Sequence, residues 1–472
     1  MLIGREKEID RVNVLLNSSR SEFAVIYGRR RVGKTYLMRE AFSRHFTFYH
    51  TGMANSGMAD QLEKFAMSLS DAGCKLNSKL SNWNQAFQNL KKVIEQSKHK
   101  KKLIFLDELP WMDTPKSKFL QELEHFWNSW CSMRNDVVLV ACGSATSWII
   151  DNVINNRGGL YNRVTCQIYI RPFTLKECAT FCECNNLKFS RLDILHFYMI
   201  AGGIPYYWSL LSSDLPLSQN VDKLCFSRGG ELVSEYHRLY SSLFKKPDTY
   251  LKIISSLAKK KTGMTRDELA KESGIGQSGV LTRMLAELEQ CDFIRKYNFF
   301  GNRSKGAMYQ LIDAYTLFYY KFIESNSLAD GFWSKIQGRP IYNTWCGLAF
   351  ERVCLLHTGE IKKALGISGV LTSESAWYVS AEKSPLMMGS QIDLVIDRQD
   401  AVINLCEMKY SKGDCLLDAN DEQCIRDKNS NFSATTKTRK ALRNTLITTF
   451  NVVKNTHFGV FDNVLTLDDL ME

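Results

Sequence analysis

Residues 28–35 read Gly-Arg-Arg-Arg-Val-Gly-Lys-Thr, the spelling G-x-x-x-x-G-K-[ST], and no other feature restricts the fold of this chain so tightly. Such a loop works only between a buried strand and a helix. Its backbone N–H groups must curl around phosphate oxygens at a helix N-terminus, where the helix dipole adds to them. Both neighbours are present. Phe23, Ala24, Val25, Ile26 and Tyr27 precede the loop as an apolar run, and Leu37, Met38, Ala41 and Phe42 follow it at helical spacing. The expected ligand is ATP with Mg²⁺, contacted along Gly28, Arg29, Arg30, Arg31, Val32, Gly33, Lys34, Thr35 and Tyr36. Lys34 is expected to bridge the β- and γ-phosphates, and the Thr35 hydroxyl to ligate the metal.

A phosphate loop needs a second strand that delivers an acid to the metal. Leu103, Ile104, Phe105 and Leu106 form a second apolar run, and Asp107 and Glu108 emerge from its end. Asp107 is expected to hold Mg²⁺ through water, and Glu108 to polarise the attacking water. A third run, Val137 to Ala141, ends in Cys142-Gly143-Ser144. Ser144 either faces the γ-phosphate or caps a helix starting near Ser147. Arg157 and Arg163 follow in a glycine-containing loop. Each is either an arginine finger, acting in cis or from a neighbouring subunit, or a surface charge; Arg163 is counted among the nucleotide contacts. Strands near 23–27, 46–50, 103–107, 137–141 and 165–170 alternate with helical patterns. The expected fold is a three-layer α/β sheet, parallel, with its ligand at the C-terminal strand edge. From about 174 to 245 the pattern is helical, as in a lid.

At 472 residues the chain is too long for one core. No run of about 18 apolar residues exists, and the N-terminus has no charged-then-apolar leader pattern. The expectation is a cytoplasmic protein without a membrane span. The 14 cysteines are scattered without a C-x-x-C pair, and even the group Cys178, Cys182 and Cys184 reads as reduced thiols. A net charge of +11 permits a polyanionic partner without demanding one. The basic clusters at 29–31, 91–92, 98–102, 245–246 and 259–261 read as solvated surface.

Downstream, Tyr250, Ile253, Ile254 and Leu257 share one helix face. Thr265 opens a second helix that Gly274 ends, and Val280, Leu281, Met284, Leu285 and Leu288 mark a third, from Ser278. Phe293-Ile294 and residues 308–311 can pair around a basic tip at 301–306. Three helices and a hairpin make a winged helix-turn-helix. Either it lays the Ser278 helix in a DNA groove, with Arg303 and Lys305 on phosphate, or it packs against protein. Asp292 stands where a left-handed turn is needed, which Asp tolerates.

The last stretch carries a different chemistry. Asp393 lies in an alternating strand, and Glu407 and Lys409 lie two apart in the next, on one face. Two acids and a base converging on one point would hold Mg²⁺ or Mn²⁺, acidify a bound water and orient it.

Two resemblances cover most of the chain. Ile3-Gly4-Arg5-Glu6-Lys7-Glu8-Ile9, the loop with its preceding Tyr27, Cys142-Gly143-Ser144, Arg171-Pro172-Phe173 and Gly202-Gly203-Ile204-Pro205-Tyr206-Tyr207 resemble the archaeal-type AAA+-related ATPases. That resemblance implies that Arg5 and Glu6 lie near the adenine and that Gly-Gly-Ile-Pro belongs to the lid. It also makes the arginine triplet part of the loop rather than a DNA contact. The spacing Asp393, 13 residues, Glu407-x-Lys409 is similar to that of restriction-endonuclease-like nucleases. In those nucleases a helical acid, here Glu351, often joins the metal site, and the region resembles the domain that accompanies archaeal-type ATPases. The implied order is a P-loop ATPase core at 1–172, a helical lid at 173–246, a winged helix-turn-helix at 247–324 and an α/β restriction-endonuclease-like domain at 325–472. The implied function is a Mg²⁺-dependent ATPase acting on DNA, coupled to a nuclease-like metal site. The alternative is an ATP-controlled DNA- or protein-binding switch with a non-cleaving C-terminal scaffold. Either form can assemble as a homo-oligomer.

Overall fold

A computed structural model describes residues 2–244, 246–277, 279–302, 306–326, 328–384, 386 and 388–472. Lys245, Ser278, Arg303 and Lys305, named above, lie outside the described residues. The chain divides into two compact units, Met1–Pro172 and Phe173–Glu472.

The first unit is built on five parallel strands: β1 (Glu22–Tyr27), β2 (Phe46–Thr51), β3 (Lys102–Asp107), β4 (Val137–Gly143) and β5 (Cys166–Tyr169). They lie in the order β2-β3-β4-β1-β5. The five strands expected near 23–27, 46–50, 103–107, 137–141 and 165–170 become these strands with ends shifted by at most a few residues. β4 is buried throughout and β1 nearly so, as parallel strands covered on both faces must be. The Trp83–Gln96 helix shows how the covering layer is specified. Asn82 caps it by accepting the Gln85 N–H at 2.9 Å. Trp83, Phe87, Leu90 and Ile94 recur at helical spacing and are all buried. Trp83 packs edge-on against Phe65 and Phe119, with ring centroids 5.4 and 4.7 Å away.

The second unit begins with helices, among them Leu175–Cys184 and Arg191–Ala201, each opened by a capping box. Three more follow at Pro247–Ala258, Arg266–Ser273 and Gly279–Gln290. Thr265 caps the second of these and Gly274 ends it at φ 70°. Asp292 turns out of the third at φ 57°. Strands β6 (Met264–Thr265), β7 (Ile294–Tyr297) and β8 (Met308–Leu311) form an antiparallel sheet in the order β6-β8-β7. β6, two residues long, carries no pattern that a sequence reading detects.

A second five-stranded sheet ends the chain: β9 (Thr372–Val379), β10 (Ser390–Arg398), β11 (Val402–Lys409), β12 (Ala441–Thr448) and β13 (Asn463–Leu465), in the order β13-β12-β11-β10-β9. β10 runs antiparallel to both neighbours, whereas β11 and β12 are parallel. A parallel pair needs a crossover, which the Ala419–Thr436 helix supplies. Among the described residues no helix is long and apolar enough to cross a membrane.

Candidate functional site

The loop at 28–35 is shaped by steric necessity. Gly28 has φ 138°, and a Cβ there would stand 2.4 Å from the Ile170 carbonyl oxygen. Gly33, at φ 91°, is the N-cap of the Lys34–Phe42 helix, so the chain enters that helix from a left-handed turn. Arg29, Val32 and Lys34 are buried, Arg30 and Arg31 are half-buried and Tyr36 is exposed. The Lys34 ammonium donates to the Gly28 and Arg29 carbonyls at 2.8 and 2.9 Å, which holds it inside the loop. The buried Arg5 guanidinium donates to the carbonyls of Val32, at 3.3 Å, and Arg171, at 2.8 Å. Arg5 thereby ties the loop to the segment after β5. Glu6 begins the Glu6–Leu16 helix beside it.

The acids of β3 are joined to this loop. The Thr35 hydroxyl donates to Asp107 Oδ2 at 2.7 Å. The other Asp107 oxygen accepts the Glu108 N–H at 2.9 Å. Glu108 adopts φ 48°, ψ 44°, a left-handed conformation costly for a residue with a Cβ and frequent at functional sites. Its Oε1 accepts the Ser144 hydroxyl at 2.6 Å, which links the ends of neighbouring strands β3 and β4. Of the two roles open to Ser144, helix capping is not realised. The Thr146–Ile149 helix has Ala145 at its N-cap and no side-chain cap. The close approach here depends on Gly143, where a Cβ would lie 2.7 Å from Pro110 Cδ. Arg157 and Arg163 are exposed in the connection before β5.

A glycine-bounded loop with a buried lysine, a Thr–Asp pair and a second acid at the end of the neighbouring strand is the arrangement that P-loop ATPases place around a nucleotide. Residues 2–211 match the family described as an ATPase domain predominantly from Archaea, and this part of the chain is an ATPase domain of that type. An uncharacterised protein of Methanocaldococcus jannaschii is 26% identical over 433 residues, 90% of this chain and 91% of the relative. Among solved structures, a Walker-type ATPase of Pyrococcus abyssi is similar at a TM-score of 0.49 and 16% identity, over 67% of this chain and 95% of its own. The Aeropyrum pernix ORC2 protein is similar at 0.45 and 15%, over 71% and 95%.

The C-terminal residues meet differently from expectation. Where β10 pairs with β11 the ladder ends at Leu394 opposite Cys406, and Asp393 and Glu407 flank that pair. A bulge in the β9–β10 ladder between Ile392 and Val395 spans Asp393, and bulges re-aim the side chains they carry. Asp393 Oδ1 accepts from the Gln391 amide at 2.6 Å. Lys409 does not join the two acids. Its ammonium bonds both oxygens of Asp421, at 2.7 and 2.8 Å, on the Ala419–Thr436 helix. Lys428 of the same helix donates to Glu407 at 2.6 Å. Glu407 and Lys409 do share the face toward that helix, as the two-residue period requires. Asp421 and Lys428, seven apart, share the opposing helix face, and each captures one of them.

Glu351, on the Pro340–Leu356 helix, lies with its oxygens 2.8 and 3.0 Å from Lys261 Nζ. Burial pushes the Glu351 carboxyl above its ordinary range, Lys261 opposes that rise and the Asp393 charge adds to it. Burial works against the charge of Lys428, but Glu407 outweighs it and the ammonium is held above its usual value. Two guanidiniums complete the surroundings. Burial, then Arg352, lowers Arg295 to about 10, and burial lowers Arg352 as well. Sequence reasoning missed Lys261 and Lys428. The shared helix face of Asp421 and Lys428 was a usable signal for the second, and nothing local announces the first.

Among the described residues no group of three His, Cys, Asp or Glu side chains stands close enough to hold a metal ion. At the phosphate loop this is no obstacle, since Mg²⁺ there is shared between one or two protein oxygens, water and the nucleotide. Thr35 and Asp107 fit it. At the C-terminal acids the donor chemistry is right, but Glu351 and Glu407 carry lysines, and a divalent ion does not fit among them as they stand. All fourteen cysteines are free thiols; Cys178 and Cys182 are buried and Cys184 is exposed.

Proposed function

We propose that the protein is a Mg²⁺-dependent ATPase directed at DNA and coupled to a restriction-endonuclease-like C-terminal module. The observation that carries the ATPase half is the pair of hydroxyl–carboxylate contacts Thr35–Asp107 and Ser144–Glu108 at the strand ends. Thr35 and Asp107 would hold Mg²⁺, which would supply charge neutralisation to the phosphates. Lys34 leaves the loop carbonyls for phosphate oxygens, and the loop N–H groups complete the cradle. Glu108 orients and deprotonates the attacking water. Ser144, bonded to Glu108, makes the position of that carboxylate dependent on the end of β4. Arg5 fixes the loop and borders the base. Arg163 is the arginine we assign to the γ-phosphate. Lys34→Ala is expected to lose tight ATP binding, and Glu108→Gln to bind ATP and lose turnover. Normal turnover by both variants overturns the site.

The DNA reading is supported by the three helices and β-ladder over 247–312 and by the positive net charge. DNA is expected to raise the ATPase rate and to bind more weakly as salt rises. The nuclease-like reading is supported by Asp393 and Glu407 at one end of the β10–β11 ladder, with Glu351 in the electrostatic field of Asp393. It predicts DNA cleavage with Mg²⁺ or Mn²⁺ that Asp393→Ala abolishes.

A second reading has a specific observation in its favour. The Phe300 N–H donates to the Ala376 carbonyl of β9 at 2.7 Å, and the Phe300 ring packs 5.0 Å from Phe432. The segment after β7, the base of the wing, is thus spent on the C-terminal sheet. With Glu351 and Glu407 bound to lysines, the C-terminal module is then a non-cleaving scaffold of an ATP-controlled switch. Cleavage that depends on Asp393 decides between the two.

A further inference from the structure

Two guanidiniums near the base of the wing carry no acid. Arg295, on β7, and Arg352, on the Pro340–Leu356 helix, are both half-buried. The neighbouring lysines are paired, Lys259 with Glu272 at 3.0 Å and Lys260 with Glu268 and Lys261 with Glu351 at 2.8 Å. Among the described residues the two arginines bond only neutral groups. Arg295 lies opposite Gln310 in the β7–β8 ladder, and its Nε donates to Gln310 Oε1 at 2.6 Å. The same guanidinium lies over the Tyr297 ring, 4.6 Å from the centroid. Gln310 is buried, and its amide nitrogen donates to the Lys261 carbonyl at 2.8 Å. That carbonyl also accepts from Arg352 Nη2. One side-chain amide and one carbonyl oxygen therefore stand between the two guanidiniums. Each guanidinium has five N–H donors and spends one nitrogen on these bonds. Among the described residues the remaining nitrogens neither meet an acceptor nor are sealed from solvent. The two like charges act on one another: burial and then Arg352 lower Arg295 to about 10.

We propose that Arg295 and Arg352 form a seat for one phosphodiester of a DNA strand. The assignment rests on the reading of the protein as directed at DNA, and it gives that reading two named contacts. A guanidinium fork matches the oxygens of a phosphate, and charge-assisted bonds of this kind strengthen out of bulk water. Charge selects the ligand. Three cations, Lys261, Arg295 and Arg352, act here against two acids, Glu351 and Asp393, which leaves one positive charge in excess. A phosphodiester carries one negative charge and matches that excess. A terminal phosphate carries more and is opposed by Asp393. The two arginines belong to different elements, a strand of the winged segment and the helix before the C-terminal sheet. A phosphate held by both joins one DNA strand to both, and such contacts position a strand without reading its sequence. Gln310 is the positioning residue, since its oxygen orients Arg295 and its N–H holds the carbonyl that Arg352 uses.

The test is fluorescence anisotropy of a labelled DNA duplex with the full chain, in EDTA and without nucleotide, over a range of salt. Arg295→Gln and Arg352→Gln are each expected to weaken binding about tenfold and to lower the salt slope by about one. Lys188→Gln, an equal loss of charge at an exposed position, should leave both quantities at the wild-type value. Arg295→Lys should keep the slope and lose only part of the affinity, because it keeps the charge and gives up the fork. Glutamine variants that lose thermal stability but keep the wild-type slope make the arginines merely structural and overturn the seat. Wild-type affinity and slope in both glutamine variants overturn it too, and leave the DNA reading standing. Absence of salt-dependent DNA binding by wild type overturns both. Calorimetry with inorganic phosphate separates the sources of the oxyanion. Phosphate binding that both glutamine variants lose, with DNA affinity unchanged, assigns the seat to a free ion and overturns the strand.

Discussion

The two carboxylate centres of this molecule are held by different kinds of donor. At the phosphate loop, Asp107 and Glu108 take their bonds from hydroxyls, those of Thr35 and Ser144, and the nearby lysine is held by carbonyl oxygens. At the C-terminal sheet, Glu407, Glu351 and Asp421 take theirs from ammonium groups. A hydroxyl–carboxylate hydrogen bond contributes about 1.5–3 kcal/mol net but leaves the negative charge uncompensated, so the acid stays open to a metal. A part-buried ion pair resists exchange, because the departing lysine leaves an uncompensated charge. The first centre is poised to bind, and the second is closed by its own side chains.

The largest effects expected from this contrast fall on the first centre. Glu108→Gln should keep ATP affinity within a few-fold and slow turnover by about 10²-fold or more, as loss of a positioned general base does. Radiolabelled ATP hydrolysis and equilibrium binding measure the two separately. If Ser144→Ala slows turnover as much as Glu108→Gln, the hydroxyl is an essential positioning group; a fall of about tenfold makes it an auxiliary one. Gly28→Ala should lose nucleotide binding altogether, because its Cβ has no room beside Ile170. Tight binding by Gly28→Ala would break the picture of a loop fixed by close backbone approach.

Acid tests the core beneath the first centre. His50 is buried beside Phe65, its Nδ1 is 2.9 Å from Ser68 Oγ, and burial lowers its pKa to about 4. The unfolded chain binds a proton at this residue near pH 6.5 and the folded chain does not, so stability is complete above that pH and falls as pH drops toward 4. The loss between pH 7 and pH 5 should be about 2 kcal/mol. His50→Asn should remove this share, about 2 kcal/mol, from the pH dependence of thermal unfolding. His196, in the second unit, is lowered to about 4 by burial as well and contributes a slope of its own that the variant keeps; an entirely unaltered slope overturns the His50 share.

How much of this was legible follows from distance along the chain. The phosphate loop, its strand and its helix lie within about 20 residues, and a local rule captures them. The β3 acids were readable because parallel strands deliver their C-terminal residues to one edge. β1, β3 and β4 were readable as apolar runs because parallel strands covered on both faces are apolar nearly throughout. At the C-terminal sheet the two-residue period correctly put Glu407 and Lys409 on one face. It could not say what that face would meet. Lys428 arrives on the crossover helix between β11 and β12, and Lys261 on a turn 90 residues before Glu351. Side-chain pairing across elements is decided by packing, which no period encodes. For the winged segment both DNA binding and packing against protein were open, and the contact of its base with β9 depends on edge amides that only the assembled sheet presents.

The smallest effect separates two lysines that sequence treats unequally. Lys409 belongs to the Glu-x-Lys spelling, yet its side chain is 38% exposed and its partner Asp421 33%. Lys428 belongs to no motif and is 18% exposed, against 35% for Glu407. Solvent screens the first pair more, and exposed pairs contribute from zero to about 1 kcal/mol. Removing Lys428 leaves Glu407 facing Asp393 without a counter-charge, and the loss should reach about 1–2 kcal/mol, below that of a fully buried pair. Urea unfolding of Lys428→Met and Lys409→Met measures the difference. Adding Glu407→Gln to Lys428→Met should restore most of the loss, because the charge left behind is what costs. Should Lys409→Met prove the more damaging, the Asp421 pair is the one that holds the crossover helix, and the C-terminal centre is less firmly closed than the phosphate loop is open.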